Sequence, residues 1–579
     1  MKRATLGRII LSASLGQQSV KCLRKKYGIS FNFMKKCRSQ VFDRKHPSNA
    51  LSTETMQKAT DFFNRGDVSR TDPSFASVSL KTQEPKRVME ITLKAAHQVF
   101  EEEANTTISF SRFAKLRPKM TKTVKHTKIN TCCCEYCANV TLKQEAINSF
   151  LSSKAHRELM LPNKYELRNA TLCEKEQGQV HHQKTCLDRK CSNCGVEAIR
   201  TKLQPVLDES SDTLVTWKTW AIVQQEIHNR AGVAKKTSKR MLTSKTGPFD
   251  QLLTELEEDL ATFAYHLGNA EWQHKMFSSL KEHLPNDWLL QVMEFAENFG
   301  CFYQDEAQGA HWTRDSVTIH PVVSYYRCPD DGDIVTESFV FISDDLNHDA
   351  HAVHHFQVMA VNALKARGMI FTKVIQFSDG CGAQYKGRTN FVDVSHAAED
   401  TGVPKEKHFF GSQHGKGPCD AEIGVVKRMV SSAVKARRAV VSNANELFHY
   451  CQASLTRPPT PDVDCHNRRT FIFVSRNGDV NRNRPDRVGP DIKYADGTRS
   501  LHSVRGMLPY VITTRERSCF CPACTSEEGD CANEDFCGTW AVHHMKKQQR
   551  RRRAGKLTIF ILYQIHTENR MWRPKRQGI

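Results

Sequence analysis

The sequence lacks long apolar runs. The longest apolar stretch near the end of the chain, 557–565, stops at nine residues, whereas a membrane-spanning helix needs about 20. The amino-terminal segment also lacks the apolar core and cleavage site of a secretory signal. We therefore expect neither an integral membrane protein nor a membrane partner.

Acidic residues are also scarce at the start of the chain, where none precedes Asp43. The whole chain has 84 Lys and Arg against 63 Asp and Glu, a net charge of +21. This excess favours DNA as a partner and the nucleus as the location. A basic run at 546–553 resembles a nuclear-localisation patch, with a solvated charged tail as the alternative. A mitochondrial presequence is the alternative for the basic amino-terminal segment.

The length of 579 residues and the 39% of hydrophobic residues indicate several packed domains rather than a disordered chain. No internal repeat is apparent. Composition and periodicity divide the chain into a basic arm at 1–50, a helical DNA-binding region at 53–120, a cysteine-rich zinc-binding region at 121–200, a helical region at 201–287, an α/β catalytic-type domain at 288–455, a strand-rich region with a second cysteine cluster at 465–545 and a basic tail at 546–579.

Thirteen of the 21 cysteines lie in two regions, 132–194 and 519–537. Without a secretory signal, such clustering favours metal ligands over disulfides. In the first region, one set has the spacing of a tetrahedral zinc site: Cys173, Cys186, Cys191 and Cys194. Cys134 and Cys137 predict part of another zinc site, whose remaining ligands the sequence does not assign.

The second cysteine region predicts another structural zinc site. Its candidate ligands are Cys519, Cys521, Cys524, Cys531 and Cys537. Free buried thiols are the alternative for both regions. Catalytic zinc is not expected, because an all-thiolate site leaves no open coordination position.

The periodicity of 288–437 predicts a definite order of strands and helices. Strands are predicted at 289–294, 317–326, 336–343, 371–378 and 407–410, and helices at 351–367, before 400 and at 421–438. Three consecutive strands followed by alternating helices and strands is the order of the ribonuclease-H-like fold. The predicted fold class is therefore multidomain α/β, with a ribonuclease-H-like mixed-sheet core, a helical amino-terminal region and cysteine-rich zinc modules.

In that fold, carboxylates from the first strand, the end of the fourth strand and a late helix hold two divalent ions that cleave phosphodiesters. The corresponding positions are Glu294, Asp379 and either Asp420 or Glu422. Glu422 lies about 200° around a helix from Asp420, so only one of them can face the cluster. Asp379 could instead begin a turn and Asp420 could cap a helix. Asp345 is a substitute ligand.

Two glycine-containing motifs carry a resemblance to a known family. They are Ser378-Asp-Gly-Cys-Gly-Ala-Gln-Tyr-Lys-Gly-Arg388 and His414-Gly-Lys-Gly-Pro-Cys-Asp420, followed by Lys427-Arg428. Together they resemble a largely uncharacterised group of transposon-associated proteins of animal genomes, which are similar to DDE/D transposases in fold and acid placement. The resemblance extends from about Thr53 to Trp540. It implies Mg2+- or Mn2+-dependent DNA cleavage and strand transfer, with Glu294, Asp379 and Asp420 as catalytic acids.

The chain departs from this family at Glu294, where the related pattern has Asp. One extra methylene moves the carboxylate by about 1.5 Å, and a misplacement of about 1 Å can cost roughly 10²-fold in rate. Glu294 therefore leaves a second function open, a domesticated and catalytically inactive zinc-containing DNA-binding protein. A metal-dependent nuclease without strand transfer is a third.

Basic residues near the two motifs are candidate DNA contacts. In His414-Gly-Lys-Gly417, the glycines would let backbone amides approach a phosphate, and Lys416 would add charge at a helix start. The motif lacks the spacing of a nucleotide-binding P-loop. Lys386 and Arg388 follow the aromatic residue Tyr385, a pattern that suits single-strand contact. The alternative for the first motif is a structural turn, and the alternative for the second is a solvated helix face.

The sequence also leaves a homo-oligomer open.

Overall fold

The computed structural model describes residues 51–547, except for 66–67, 72–86, 90, 105–106, 124–132, 178, 180, 229–233, 304–306, 308, 310–312 and 457–466. The predicted basic arm at 1–50 and nearly all of the predicted basic tail lie outside the described residues. The chain forms two compact units, Met1–Ala59 and Thr60–Ile579. All of the tertiary contacts described below lie within the second unit.

Helices and strands are interspersed along the described residues. The helices are α1 (Thr53–Asn64), α2 (Leu93–Ala104), α3 (Phe110–Leu116), α4 (Glu135–Ser153), α5 (Lys164–Asn169), α6 (Lys184–Leu187), α7 (Glu197–Ser210), α8 (Phe249–Glu282), α9 (Ala350–Ala366), α10 (Arg388–Ser395), α11 (Ala397–Thr401), α12 (Pro418–Lys435), α13 (Ala444–Leu455), α14 (Pro522–Ser526) and α15 (Glu534–Cys537). The strands are β1 (Ser69–Thr71), β2 (Arg87–Met89), β3 (Thr121–Lys122), β4 (Leu214–His228), β5 (Ala234–Pro248), β6 (Trp288–Met293), β7 (Phe299–Gly300), β8 (Ser316–Arg327), β9 (Ile334–Ser343), β10 (Lys373–Ser378), β11 (Lys405–Phe409), β12 (Arg469–Val474), β13 (Ser503–Leu508), β14 (Val511–Arg515) and β15 (Ala541–His544).

The region 53–120, predicted to be helical, is only partly helical. Its helices α2 and α3 pack around a cluster of phenylalanine rings in which Phe63 and Phe113 have centroids 4.7 Å apart and Phe100 and Phe113 have centroids 5.2 Å apart. Strands β1, β2 and β3 form a small sheet beside them. Helix α2 begins only at Leu93, because 87–89 pairs as a strand.

The region 201–287, predicted to be helical, contains a long β-hairpin. Strands β4 and β5 pair in antiparallel register over fifteen residues each, from Leu214 opposite Pro248 to His228 opposite Ala234. Threonine, valine, isoleucine and tryptophan recur through β4 and favour a strand. Leu252, Leu253, Leu256 and Leu260 have the spacing of one helix face, and they belong to α8, which starts only at Phe249.

Among the described residues, ten strands form one mixed sheet, which confirms the predicted mixed α/β class. Its order is β12-β9-β8-β6-β10-β11-β13-β14-β15, with β7 paired to β8. Strand β8 runs antiparallel to both β6 and β9, whereas β6, β10 and β11 are parallel to one another. The segment 469–544, predicted as a separate strand-rich region, extends both edges of this sheet.

Helices cover both faces of the sheet. On one face, α9 places Val353, Phe356 and Leu364 in a cluster with sheet residues such as Leu289 and Phe341. On the other face, residues of α12 and α13, including Val430 and Leu447, pack on Ile319 and Ile342. Fully burying each such side chain contributes about 1.5–3 kcal/mol, so the sheet edge between these layers is a rigid platform.

No helix in the described part of the chain is both long enough and apolar enough to cross a membrane.

Candidate active site

Glu294 and Asp379 lie side by side at the carboxyl edge of two parallel strands. Glu294 follows Met293, the last residue of β6, and Asp379 follows Ser378, the last residue of β10. The register pairs Val292 with Phe377, so two residues further along each strand the two acids are level. This edge of an α/β sheet is where binding sites assemble. Strand pairing therefore brings these two predicted acids together.

Asp420 joins them from the first turn of α12. Its carboxyl group and that of Glu294 are hydrogen-bonded, and its Oδ2 accepts a hydrogen bond of 2.9 Å from the Gly417 amide. Asp420 is thus both a helix-start residue and a member of the acid cluster.

The alternative acids point elsewhere. Glu422 accepts a 2.6 Å hydrogen bond from Nε of Arg469, and Asp345 lies 2.7 Å from a guanidinium nitrogen of Arg482. The structure therefore groups Glu294 and Asp379 with Asp420 rather than with Glu422 or Asp345. Asp379 also accepts a 3.1 Å hydrogen bond from the Cys381 amide, so it begins a turn as well.

The three carboxyl groups are poorly compensated. Burial raises the pKa of Glu294 well above its usual value, and the negative charges of Asp420 and Asp379 raise it further. Burial also raises the pKa values of Asp379 and Asp420. A bound divalent cation would reverse these shifts, because it stabilises the charged form of each carboxylate.

The acid oxygens are more widely spread than the ligands of one ion. Three groups of the described residues have potential ligand atoms that all lie within 4.8 Å of one another. These groups consist of cysteines and histidines, and none contains the three acids. Oxygen ligands are what Mg2+ and Mn2+ prefer.

A cavity of about 840 Å³ opens onto Glu294 and Asp379. Lys416 also lines it, and so do Trp220 and Leu242 from the hairpin. The cavity thus combines acids, a cation and an apolar wall.

The first all-cysteine group has the ligands predicted for it. The sulfur atoms of Cys173, Cys186, Cys191 and Cys194 come together, with Cys173 and Cys191 3.7 Å apart. His182 is not a member, since its Nδ1 lies 2.9 Å from the Cys173 carbonyl oxygen and its Nε2 lies 3.1 Å from Oδ1 of Asn169. The four sulfurs could hold a zinc ion.

The second all-cysteine group contains four of its five predicted ligands. They are Cys519, Cys521, Cys524 and Cys531. Cys537 is not in this group, because it ends the short helix α15 and its thiol donates to the Ser518 carbonyl oxygen at 3.4 Å. Arg515 donates to the Cys531 sulfur at 3.0 Å, which favours the thiolate.

Two histidines lie beside Cys134 and Cys137 as further candidate ligands, which the sequence alone does not assign. His266 lies on α8, and His414 lies in the loop between β11 and α12. The sulfur of Cys134 is 3.2 Å from Nε2 of His266. The position of His414, predicted to contact DNA, is thus explained by this cysteine and histidine group. A CxxC pair followed by unassigned histidines is the signal that could have suggested it.

The other predicted DNA contacts have different environments. Lys386 is buried, and its Nζ donates to the Arg499 carbonyl oxygen at 2.9 Å, so this position does not suit DNA contact. The Arg388 guanidinium lies 5.3 Å from the ring centroid of Tyr494. Of the four predicted contacts, Lys416 and His414 line the acid cavity.

The hairpin is a basic surface that sequence reasoning missed. Beyond Trp220, none of the described residues of 221–241 is buried. The exposed lysines include Lys218, Lys236 and Lys239. Arg240 is paired with Glu135 at 2.6 Å. A projecting two-stranded ribbon with exposed lysines is suited to a polyanion.

Comparisons with known proteins give families without an assigned function. Residues 273–518 are similar to the family described as Domain of unknown function (DUF8701), and residues 50–125 are similar to Domain of unknown function (DUF8699). The first match contains all three acids and His414 but not Cys134, Cys137 or His266. No curated protein and no solved structure matches the chain significantly.

Proposed function

We propose that this chain is a transposase-like enzyme that cleaves DNA and transfers strands with the help of divalent metal ions. The observation that carries the proposal is the convergence of Glu294, Asp379 and Asp420 at one edge of the sheet. Three half-buried carboxyl groups with raised pKa values are costly unless cations neutralise them.

The sheet order supports a ribonuclease-H-like core. The five central strands lie side by side in the order β9-β8-β6-β10-β11. Numbered along the sequence as the five main strands of this domain, they are in the order third, second, first, fourth and fifth. The second strand is the antiparallel one, and the acids follow the first and fourth strands. Helix α12 then supplies the last acid. This is the arrangement that the fold family uses for nucleic-acid cleavage.

The acids would hold Mg2+ or Mn2+, which activates a water or a 3′-hydroxyl group and stabilises the leaving oxygen of the phosphodiester. Glu294, Asp379 and Asp420 would orient these ions from rigid elements. Lys416, in the loop before α12, would contribute positive charge beside the scissile phosphate.

DNA as the substrate is supported by charge and by the hairpin. A two-stranded ribbon fits the roughly 12 Å wide major groove of duplex DNA. Lys236 and Lys239 lie on its exposed outer half. The net charge of +21 adds non-specific attraction, and we extend the proposal to a nuclear location on the same grounds.

The alternative is a domesticated, catalytically inactive DNA-binding protein. Glu294 favours it, since its longer side chain stands where the related transposases have Asp and hydrogen-bonds with Asp420. In that case the cysteine groups and the basic hairpin would retain their functions, and the acids would bind no metal.

A cleavage assay separates these functions. The substrates are supercoiled plasmid and duplexes ending in any inverted repeats that flank the coding region, with Mg2+ or Mn2+. We expect the native chain to cut and Asp379→Asn to bind without cutting. Glu297→Gln is the matched control, because Glu297 is exposed only three residues from Glu294, and it should cut normally. Binding without cutting by the native chain would support the inactive protein.

A further inference from the structure

The cysteine and histidine group beside the acid cavity has the geometry of a metal site. Nε2 of His414 lies 3.1 Å from Nε2 of His266 and 3.5 Å from the sulfur of Cys137. All four potential ligand atoms lie within 4.8 Å of one another. Ligands of a tetrahedral zinc ion with two thiolates and two imidazoles are about 3.3–3.8 Å apart, so the group is close to the required size.

These ligands come from three distant parts of the chain. Cys134 is the residue before α4 and Cys137 lies in its first turn, His266 lies within α8, and His414 lies in the loop before α12. Both cysteines are buried and both histidines are half-buried. A cation there would join the cysteine-rich region, the long helix and the acid-bearing domain.

The loop that supplies His414 also contacts two of the acids. A Cβ added to Gly415 would lie 3.1 Å from Cβ of Asp379, so the loop backbone packs directly against that residue. Two residues later, the Gly417 amide donates to Asp420. Residues 414–417 thus connect the cysteine and histidine group to both Asp379 and Asp420 within four residues.

Other contacts also hold the start of this loop. Oε1 of Gln413 accepts a 2.7 Å hydrogen bond from the Glu135 amide. The His414 carbonyl oxygen lies 2.7 Å from Nε2 of His274. A cation bound by the side chain of His414 would add a further anchor to the segment leading to Asp420.

We infer that Cys134, Cys137, His266 and His414 bind a third zinc ion and that this ion positions the acid cluster. Zinc binding stands on the geometry of the four ligands alone, whereas the positioning of the acids rests on the proposed function. His414 acts here as a positioning residue, because it reaches the acids only through 415–417. Four protein ligands leave no open position, so this zinc is structural rather than catalytic.

The first test is the zinc content of the full-length chain, measured by elemental analysis. We expect three zinc ions in the native chain and two in Cys137→Ser and in His414→Asn. Cys133→Ser is the matched control, since Cys133 is an exposed neighbour outside the group, and it should keep three. Two zinc ions in the native chain, or three in both ligand variants, would overturn the assignment.

X-ray absorption at the zinc edge tests the same ligands without any variant. Two all-cysteine groups and one group of two cysteines and two histidines give ten sulfur and two nitrogen ligands over three ions. The native chain should therefore show a nitrogen contribution near 2.0 Å beside the sulfur shell at about 2.3 Å. An all-sulfur shell would overturn the inference.

The second test asks whether this zinc positions the acids. Mn2+ affinity is measured by titration in the native chain, in His414→Asn and in Cys191→Ser, which loses a different zinc ion. We expect His414→Asn to weaken Mn2+ binding at least tenfold and Cys191→Ser to leave it unchanged. Equal weakening in both variants would show a merely structural effect and overturn the positioning role. Absence of Mn2+ binding in the native chain would instead overturn the proposed function, while the zinc count would still stand.

Discussion

The sulfur of Cys137 lies 3.5 Å from Nε2 of His414, although 277 residues separate them in the sequence. This pair joins the cysteine-rich region to the loop that leads to Asp420. It also crosses the boundary of the family match, which begins at residue 273 and includes His414 but not Cys137. The acid-bearing domain of this chain therefore shares a potential metal site with the segments that precede it.

Shortening Glu294 tests whether this acid is adapted to its place. In Glu294→Asp, the carboxyl group withdraws by about 1.5 Å from the Asp420 carboxyl group to which it is hydrogen-bonded. We expect Mn2+-dependent cleavage to fall at least tenfold, since misplacement by about 1 Å can cost roughly 10²-fold. A gain of cleavage in Glu294→Asp would mean that the native glutamate is the defect, as the inactive alternative requires.

Two substitutions at Asp420 separate its role at the helix start from its role in the cluster. The amide oxygen of Asp420→Asn can still accept from the Gly417 amide, so we expect normal stability and lost cleavage. Asp420→Ala should lose cleavage as well as about 0.5–2 kcal/mol of unfolding free energy, as helix-start residues do. Urea denaturation and the cleavage assay measure the two effects. Full cleavage by Asp420→Asn would remove this residue from the active site.

Charge reversal on the hairpin tests the DNA surface. Lys236 and Lys239 are exposed on its outer half. We expect the double variant Lys236→Glu, Lys239→Glu to weaken duplex binding about tenfold or more. The slope of the logarithm of the binding constant against the logarithm of the salt concentration should become shallower by the loss of about two phosphate contacts. The arginine versions of both residues keep the charge and serve as controls. Unchanged affinity and salt slope in the glutamate variant would exclude this hairpin from the DNA interface.

The buried His320 predicts how stability changes in acid. Burial lowers the pKa of His320 to about 3, with smaller contributions from His348 and Lys407, and its Nε2 lies 3.2 Å from the Tyr385 hydroxyl. As the pH falls, the unfolded chain, with a histidine pKa near 6.5, binds the proton before the folded chain does. The contribution of neutral His320 to the unfolding free energy is therefore complete above about pH 6.5 and is lost as the pH falls toward 3.

Urea denaturation from pH 7 to pH 4 measures this loss. Below pH 6.5, the native chain should lose up to about 1.4 kcal/mol of unfolding free energy per pH unit from this residue. His320→Gln cannot gain the proton, so its stability should fall less steeply. Both chains share the same cysteine groups, whose protonation cancels in the comparison. Parallel profiles for the two chains would show that His320 does not stay neutral in the folded state.

Local sequence pattern was enough to predict the strands that carry Glu294 and Asp379. Apolar and β-branched runs give each strand, and parallel pairing then brings their ends together. The resemblance implied Asp420 rather than Glu422, but the physical reason needed the structure, because it depends on Arg469, which lies 47 residues beyond Glu422 and pairs with it.

Other features depended on contacts that one sequence does not reveal. His266 stands inside a 34-residue helix with nothing local to mark it as a ligand. The helical pattern of 201–287 comes mainly from the leucines of α8, which follows the hairpin in the sequence. Cys537 has the residue type of a zinc ligand, but it is buried and bonds to the Ser518 carbonyl oxygen. Lys386 has the residue type of a DNA contact, but it is buried and bonds to the Arg499 carbonyl oxygen.

Mn2+ binding to the zinc-loaded, full-length chain tests the central claim most directly, because it needs no knowledge of the DNA target. Isothermal titration would compare the native chain with Asp379→Asn and Glu297→Gln. The account predicts that the native chain and Glu297→Gln bind Mn2+ equally and that Asp379→Asn binds at least tenfold more weakly. Equal binding by all three chains, or no binding by any of them, would contradict a divalent-metal site at Glu294, Asp379 and Asp420.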